Sequence, residues 1–293
     1  MTQAVDGAAV FEASRPKLMA IAYRMLGSVV EAEDVVGDVA ERWAATDQAT
    51  VRVPEAWLVT VTSRRALDVL RSARLQRESY PGVWLPEPIA TGEDVGAGLE
   101  QTETLTMGFL LLLERLTPIE RAVFVLHDVL DYGHDEVADA LGRTPAACRQ
   151  ALHRARTQVT VPNRRSAADR EQAARVAERF MAAGLTGDVD GLLATLAPDV
   201  VLTSDGGGVV RAAVRPVVGS DRVGRFVSNL MRRLFEADPS VEACELNGSP
   251  GGIIRAGDTW LAYTIESDAD HVTAIRVVLN PAKLGHLIAE STF

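Results

Sequence analysis

Arg149, Gln150, His153 and Arg154 are residue types that donate hydrogen bonds to base edges and phosphates, provided one helix presents them together. They lie in AACRQALHRAR, and from Arg143 to Arg165 the chain has six arginines and no acid. The elements that must position them are legible. HDEVADALG places Val137, Ala138 and Leu141 on one side at helical spacing, and Gly142 stops that helix. Thr144-Pro145 then supplies an N-cap and a proline at the first helical position. Ala147, Ala151 and Ala155 mark a narrow inner face, with Cys148 a small buried filler, while Arg149, Gln150, His153, Arg154 and Arg156 point elsewhere. A helix-turn-helix with a basic second helix has the geometry that enters a DNA major groove. An ordinary helical hairpin with a solvated basic face carries the same pattern.

A second basic run lies upstream. PEAWLVTVTSRRALDVLRSARLQR predicts a helix from Pro54 to about Arg77, with a buried-looking Trp57, turning basic at Arg64, Arg65, Arg71, Arg74 and Arg77. Thr60, Thr62, Ser63 and Ser72 on it can hydrogen-bond. Before it, a helix over 29–45 sets Glu31, Asp34, Asp38 and Glu41 on one stripe and Ala32, Val36, Val39 and Trp43 on another. The acidic stripe is either a solvated surface or a docking face for a basic partner. For acid–base chemistry, Asp205 with His271 is the one pair that suggests itself. An Asp-Gly turn explains Asp205 without chemistry, and His271 sits at a strand start.

The chain has 293 residues, 47% hydrophobic and 24% charged, so it can bury cores throughout. Its formal charge of −10 is unevenly placed: 52–77 holds six arginines against Glu55 and Asp68, whereas 79–110 holds five acids and no base. Localised arginine patches in an acidic protein suit specific phosphate contacts with weak general affinity for DNA. Cys148 and Cys244 lie far apart without metal-ligand spacing, which points to a reduced, cytoplasmic protein with no metal or cofactor. No signal peptide or membrane-length apolar run is visible.

Four parts follow. Residues 1–77 are expected to be all-helical, opening with a helix over FEASRPKLMAIAYRMLGS. Residues 78–104 form a linker, in which Tyr80, Trp84 and Leu85 point to docking of WLPEP on another domain, because exposed aromatics gain nothing in water. Residues 105–161 hold the helix-turn-helix, led by helices from TLTMGFLLLLERL and TPIERAVFVLHDVL; Thr117-Pro118-Ile119-Glu120 is a capping signature. Residues 166–293 form an α+β domain: helices at roughly 168–183 and 188–196 joined by Gly184 and Gly187, a strand VVLTS, a helix over about 220–236, and four strand-like runs. Helices over a curved antiparallel sheet are expected there, a cone around a pocket. The fold class is therefore multidomain, with two all-α domains and a C-terminal α+β cone-shaped barrel.

These motifs, in this order, carry a resemblance that covers nearly the whole chain. EAEDVVGDVAERW and PEAWLVTVTSRRALDVLRSAR resemble sigma region 2, and LTPIERAVFVLHDVL with the helix-turn-helix resembles sigma region 4. The chain resembles an extracytoplasmic-function sigma factor of bacterial RNA polymerase. The YPGVWLPEP linker, the DGGG turn and NPAKL at 280–284 resemble the subgroup with a fused SnoaL-like C-terminal domain. Two positions depart from that subgroup's usual motifs: Val209 replaces a lysine, and Ala282 replaces an aspartate.

The resemblance implies core RNA polymerase and promoter DNA as partners, with contacts to the β′ clamp coiled coil and the β flap. Asp34, Asp38, Glu41, Arg42 and Trp43 would form the clamp contact, although the spacing of Trp43 equally fits a core residue. Trp57, Arg64, Arg65, Asp68, Arg71 and Arg74 would read the −10 element, the arginines on phosphates; Asp68 would read a base or pair with Arg65 or Arg71. Arg143, Thr144, Arg149, Gln150, His153 and Arg154 would serve the −35 element, the first two holding phosphate at a helix N-terminus. Trp84, Leu85, Pro86, Asp205, Gly206, Gly207, Gly208, Asn280, Pro281, Lys283 and Leu284 would form a regulatory contact in which linker and glycine turn meet. The C-terminal domain would be a non-catalytic regulator, open to a small-molecule or protein ligand. A conventional helix-turn-helix regulator and a SnoaL-like cyclase with an accessory DNA-binding region are the alternatives.

Overall fold

The computed structural model describes residues 7–91, 102–163 and 165–290; the middle of the predicted linker, residues 92–101, lies outside them. The described residues group into two compact units. One takes those up to Glu78 and those from 102 to Pro162; the other takes Ser79 to 91 and the chain from Asn163 on.

The first unit is all-helical. α1 (Gly7–Leu26), α2 (Val29–Ala45) and α3 (Pro54–Glu78) pack around Leu18, Ile21, Met25, Val36, Val39, Leu58 and Leu67, all buried. α1 starts four residues before the Phe11 suggested by its sequence pattern. Its first carbonyl, Gly7 O, accepts a 2.7 Å bond from Trp43 Nε1, a tertiary anchor that local pattern does not reveal. Ser28 caps α2 by accepting from Glu31 N. α4 (Met107–Leu113) and α5 (Pro118–Phe124) follow, and α5 continues as a π-helical turn, Val125–Val129. Thr117 and Glu120 form the expected capping box. α6 (His134–Leu141) and α7 (Pro145–Arg156) make the helix-turn-helix, with Gly142 left-handed at φ +62 between them.

The second unit carries α8 (Ala167–Thr186), α9 (Val189–Thr195), β1 (Leu196–Asp205), β2 (Val217–Val218), α10 (Ser220–Phe235), β3 (Ser240–Leu246), β4 (Ser249–Ala256), β5 (Thr259–Ser267), β6 (Val272–Val278) and α11 (Gly285–Glu290). α8 runs through Gly184 instead of breaking there. That position lies within the helix at ordinary contact distance from Leu192 and Met231, and Gly187 at φ +70 ends the helix. The sheet order is β2-β1-β6-β5-β4-β3. It is mixed, not wholly antiparallel as expected: β1 pairs in parallel with β6. The reason is connectivity. After β1 and its β2 partner the chain crosses through α10 to the far edge and meanders back by three hairpins, which delivers β6 beside β1 in the same direction. α8 and α10 cover the sheet around Phe180, Val223, Val227, Leu202 and Ile275.

Candidate nucleic-acid interface and the buried Asp205 cluster

α7 is amphipathic. It buries Cys148, Ala151, Leu152 and Ala155, while Arg149, Gln150, His153 and Arg154 share one open face. Ala147, assigned to the inner face by four-residue spacing, is exposed; Leu152 takes the place in the core. Cys148 is buried, and burial pushes its thiol up, as a packed filler requires. Thr144 caps α7 by accepting from Ala147 N, and Arg143 beside it is exposed. Arg154 is held at 2.6 Å from Glu120 and Arg156 bidentately by Asp128, so Arg149, Gln150 and His153 are the α7 groups placed to reach outward.

The α3 arginines are exposed or half-buried, and each already has an oxygen partner. Arg64 donates to Ala140 O at 2.8 Å and Asp139 O at 2.7 Å, closing the C-terminal carbonyls of α6. Arg65 pairs with Asp38 on α2 at 2.6 Å. Arg71 pairs with Asp68 at 2.8 Å, the intrahelical alternative for Asp68, and Arg74 donates to Leu116 O at 3.0 Å. Thr62 and Ser63 are buried without hydrogen-bond partners for their hydroxyls, which removes them from any surface role.

On α2, Asp34, Glu41 and Arg42 are exposed and Asp38 half-buried. Trp43 is not on that surface. It is 3% exposed, bonded to Gly7 O and packed against the half-buried Trp57 with ring centroids 5.3 Å apart and planes tilted by 49°, so it is core and not a contact residue. The sequence pattern missed an ionic seam that joins α1, α3, the end of α4 and α5. Arg24 and Arg121 are buried; Arg121 donates to Arg24 O and to Glu114, which also takes Arg77 at 2.7 Å. Burial alone would raise the Glu114 carboxyl, but Arg121 and Arg77 hold it below its ordinary value. Burial lowers Arg24 to about 10.

In the second unit the predicted regulatory residues converge. Asp205 is 1% exposed at the end of β1. Its carboxylate accepts from Tyr80 Oη (2.6 Å), Leu85 N (2.9 Å), Gly207 N (2.9 Å) and Lys283 Nζ (2.7 Å). Its carbonyl accepts from Leu279 N and Asn280 N. Lys283 also donates to Leu85 O and lies 4.3 Å from the Trp84 ring centroid. Leu85 and Pro86 are buried, Leu284 is 2% exposed, and Pro281 opens the short turn that aims Lys283. Gly207 and Gly208 have φ of +62 and +73, and a Cβ there would lie 2.5 Å from Asn280 and 2.7 Å from Pro81. Val209 is 78% exposed, outside the cluster.

Tyr80, which the sequence marks only as a docking aromatic of the linker, closes the cluster: Asn280 Nδ2 donates to its oxygen at 2.9 Å. Burial, reinforced by Asp205, raises the phenol, so the proton stays on Tyr80. The linker continues along the β3–β4 turn, with Asn247 N donating to Ile89 O and Thr91 N to Glu245 O. Asp205 and His271 are not a pair. The β1–β6 register sets Asp205 opposite Val278 and His271 before Val272, roughly 20 Å along the sheet at about 3.3 Å per residue. His271 is exposed. No group of metal-binding residues and no helix long and apolar enough to cross a membrane occurs among the described residues.

Known proteins resemble this chain closely. Residues 10–76 match the family Sigma-70 region 2, and residues 107–159 match Sigma-70, region 4. The ECF RNA polymerase sigma factor SigJ of Mycobacterium tuberculosis is 44% identical over 76% of this chain and 72% of its own length. The probable ECF RNA polymerase sigma factor SigI of the same species is 32% identical over 99% of both chains. The crystal structure of M. tuberculosis SigJ superposes with a TM-score of 0.76 at 36% identity, covering 95% of this chain and 98% of that one.

Proposed function

This chain belongs to the extracytoplasmic-function sigma factors of RNA polymerase, and we propose that it binds the core enzyme and directs promoter recognition and melting under control of its fused SnoaL-like domain. The observation that carries the reading is the open face of Arg149, Gln150 and His153 on a capped helix-turn-helix, beside an arginine-lined α3 in the same unit. Arg149 and His153 contact −35 bases or phosphates, and Arg143 and Thr144 hold a phosphate at the α7 N-terminus, while Arg154 stays with Glu120 or exchanges to DNA. Arg64, Arg65, Arg71 and Arg74 neutralise −10 phosphates, and Trp57 borders the unpaired bases. Asp34, Asp38, Glu41 and Arg42 dock on the β′ clamp coiled coil, and the helix-turn-helix unit meets the β flap.

Arg64 and Arg74 now hold carbonyls of α6 and of the α4–α5 turn, so engaging phosphates means releasing these bonds. The isolated sigma unit is thus in a resting arrangement that core polymerase and promoter open. The family is not enzymatic, and a regulatory role of the C-terminal domain is supported by its buried carboxylate, which is saturated by four donors and lies far from His271. The test is run-off transcription with core RNA polymerase, comparing the full chain with a truncation ending at Arg165, on promoters found by sequencing transcripts from genomic DNA. Specific initiation is expected from at least one form. Failure of both removes the sigma reading in favour of a duplex-binding regulator.

A further inference from the structure

α8 packs on β4, β5 and β6, and β3 runs on beyond it at the sheet edge. Because the facing positions are small (Ala173, Ala174 and Ala177 on the helix, Ala243 and Gly251 on the strands), helix and sheet leave a cavity of about 380 Å³ between them. Its walls are apolar, finished by Met181, Val241, Tyr263 and Ile265. Four charged residues line it, Arg165, Arg170, Glu178 and Glu245, and their formal charges cancel. The polar groups offered by its wall are the Tyr263 hydroxyl and the Cys244 thiol, which burial pushes up to about 12 and about 11, so both keep their protons. A cavity of this size and lining holds a compact organic molecule. Zero net charge at the rim and protonated donors inside select against an ion.

Two of the lining residues also hold the linker. Thr91 is 8% exposed and seated on the β3–β4 turn: its Oγ1 donates to Glu245 Oε1 at 2.8 Å and accepts from Gly248 N at 2.8 Å, and its N donates to Glu245 O at 3.0 Å. The seated linker therefore fixes the rim of the cavity before a ligand arrives.

We propose that this cavity is a binding site for an uncharged, largely apolar small molecule, and that its occupancy and the seating of the linker at Thr91 stabilise each other. The mutual effect follows from a shared rim: a ligand that binds the pre-set wall favours the state in which Thr91 is seated, and by linkage the reverse holds. The site goes beyond the sigma reading and does not need it; only its consequence for transcription rests on that reading.

The probe is N-phenyl-1-naphthylamine, a neutral apolar fluorophore, titrated into the full chain. Saturable binding at one site per chain is expected. Ala174→Phe, which fills the cavity, should weaken it by about tenfold or more, and Thr91→Val by several-fold through loss of the pre-set rim. Ala182→Phe, exposed on the same helix and outside the cavity, should bind as the parent does. Absence of saturable binding, or an unchanged affinity in Ala174→Phe, overturns the site. Unchanged affinity in Thr91→Val overturns the coupling. Run-off transcription on the same preparations separates the readings: a chain that initiates but binds no probe sinks this site alone, and one that binds but never initiates sinks the sigma reading alone.

Discussion

The α3 arginines and Lys283 are all cations met by oxygen acceptors, but their surroundings differ. Arg71 and Asp68 expose 49% and 62% of their side chains, whereas Lys283 and Asp205 are 6% and 1% exposed as residues. An exposed pair contributes little to stability, because water and salt replace each partner at small cost. A buried pair cannot lose one member without stranding the other. The first arrangement leaves the arginines able to exchange one oxygen partner for another, as the proposed −10 contact requires; the second fixes the linker to its domain.

That contrast is broken most directly at Asp205. Asp205→Ala strands Lys283 in a buried site and should cost about 3–5 kcal/mol in denaturant unfolding of the C-terminal unit. The double variant Asp205→Asn, Lys283→Met should recover much of that loss. A loss under about 1 kcal/mol in the single variant would place the pair with the exchangeable ones. Next in size is Arg149→Ala, expected to weaken promoter binding by the holoenzyme by about 1–3 kcal/mol with the unfolding midpoint unchanged. Equal binding would take Arg149 out of the interface. Trp84→Ala removes the ring against Lys283 and should cost about 1 kcal/mol of C-terminal stability, measured in the same unfolding experiment. Arg64→Ala should change stability by less than about 1 kcal/mol, yet lower the dependence of promoter binding on log salt concentration by about one. A large loss of stability would make Arg64 a fastening instead of an exchangeable contact.

Titration sharpens the same comparison. Glu114 is held below its ordinary value in the first unit, so the stability it contributes is present above about pH 4.5 and lost as pH falls through that range. Tyr80 is raised in the second unit, so its contribution is full below about pH 10 and lost at higher pH. The acid loss in the first unit should therefore shrink in Glu114→Gln, and the alkaline loss in the second unit should shrink in Tyr80→Phe. An unchanged pH profile in either variant would contradict the assignment of that group.

Much of the local structure was legible because local rules decide it. Thr117 with Glu120, Thr144 with Pro145 and glycine at 142 set helix ends within a few residues of themselves. The four-residue spacing on α7 was less reliable: Ala147 is exposed, while Cys148 beside it and Leu152 join Ala151 and Ala155 on the buried face. Trp43 fitted two readings because a helix face is visible in sequence, while what covers it is not. Gly7 and Trp57 cover it.

By itself the sequence determined the helix-turn-helix with its basic face, the helical N-terminal part, the α+β character of the C-terminal domain and the family, since caps, periodicity and motif order need no distant partner. Only the tertiary structure decided which cations are exposed and which are buried, and which oxygens they meet. Arg64 finds its carbonyls 75 and 76 residues away, and Asp205 meets Tyr80 and Leu85 across 125 and 120 positions. Burial and hydrogen-bond saturation at such separations are properties of the packed chain, because neither the dielectric around a charge nor its acceptor is encoded in the residues beside it.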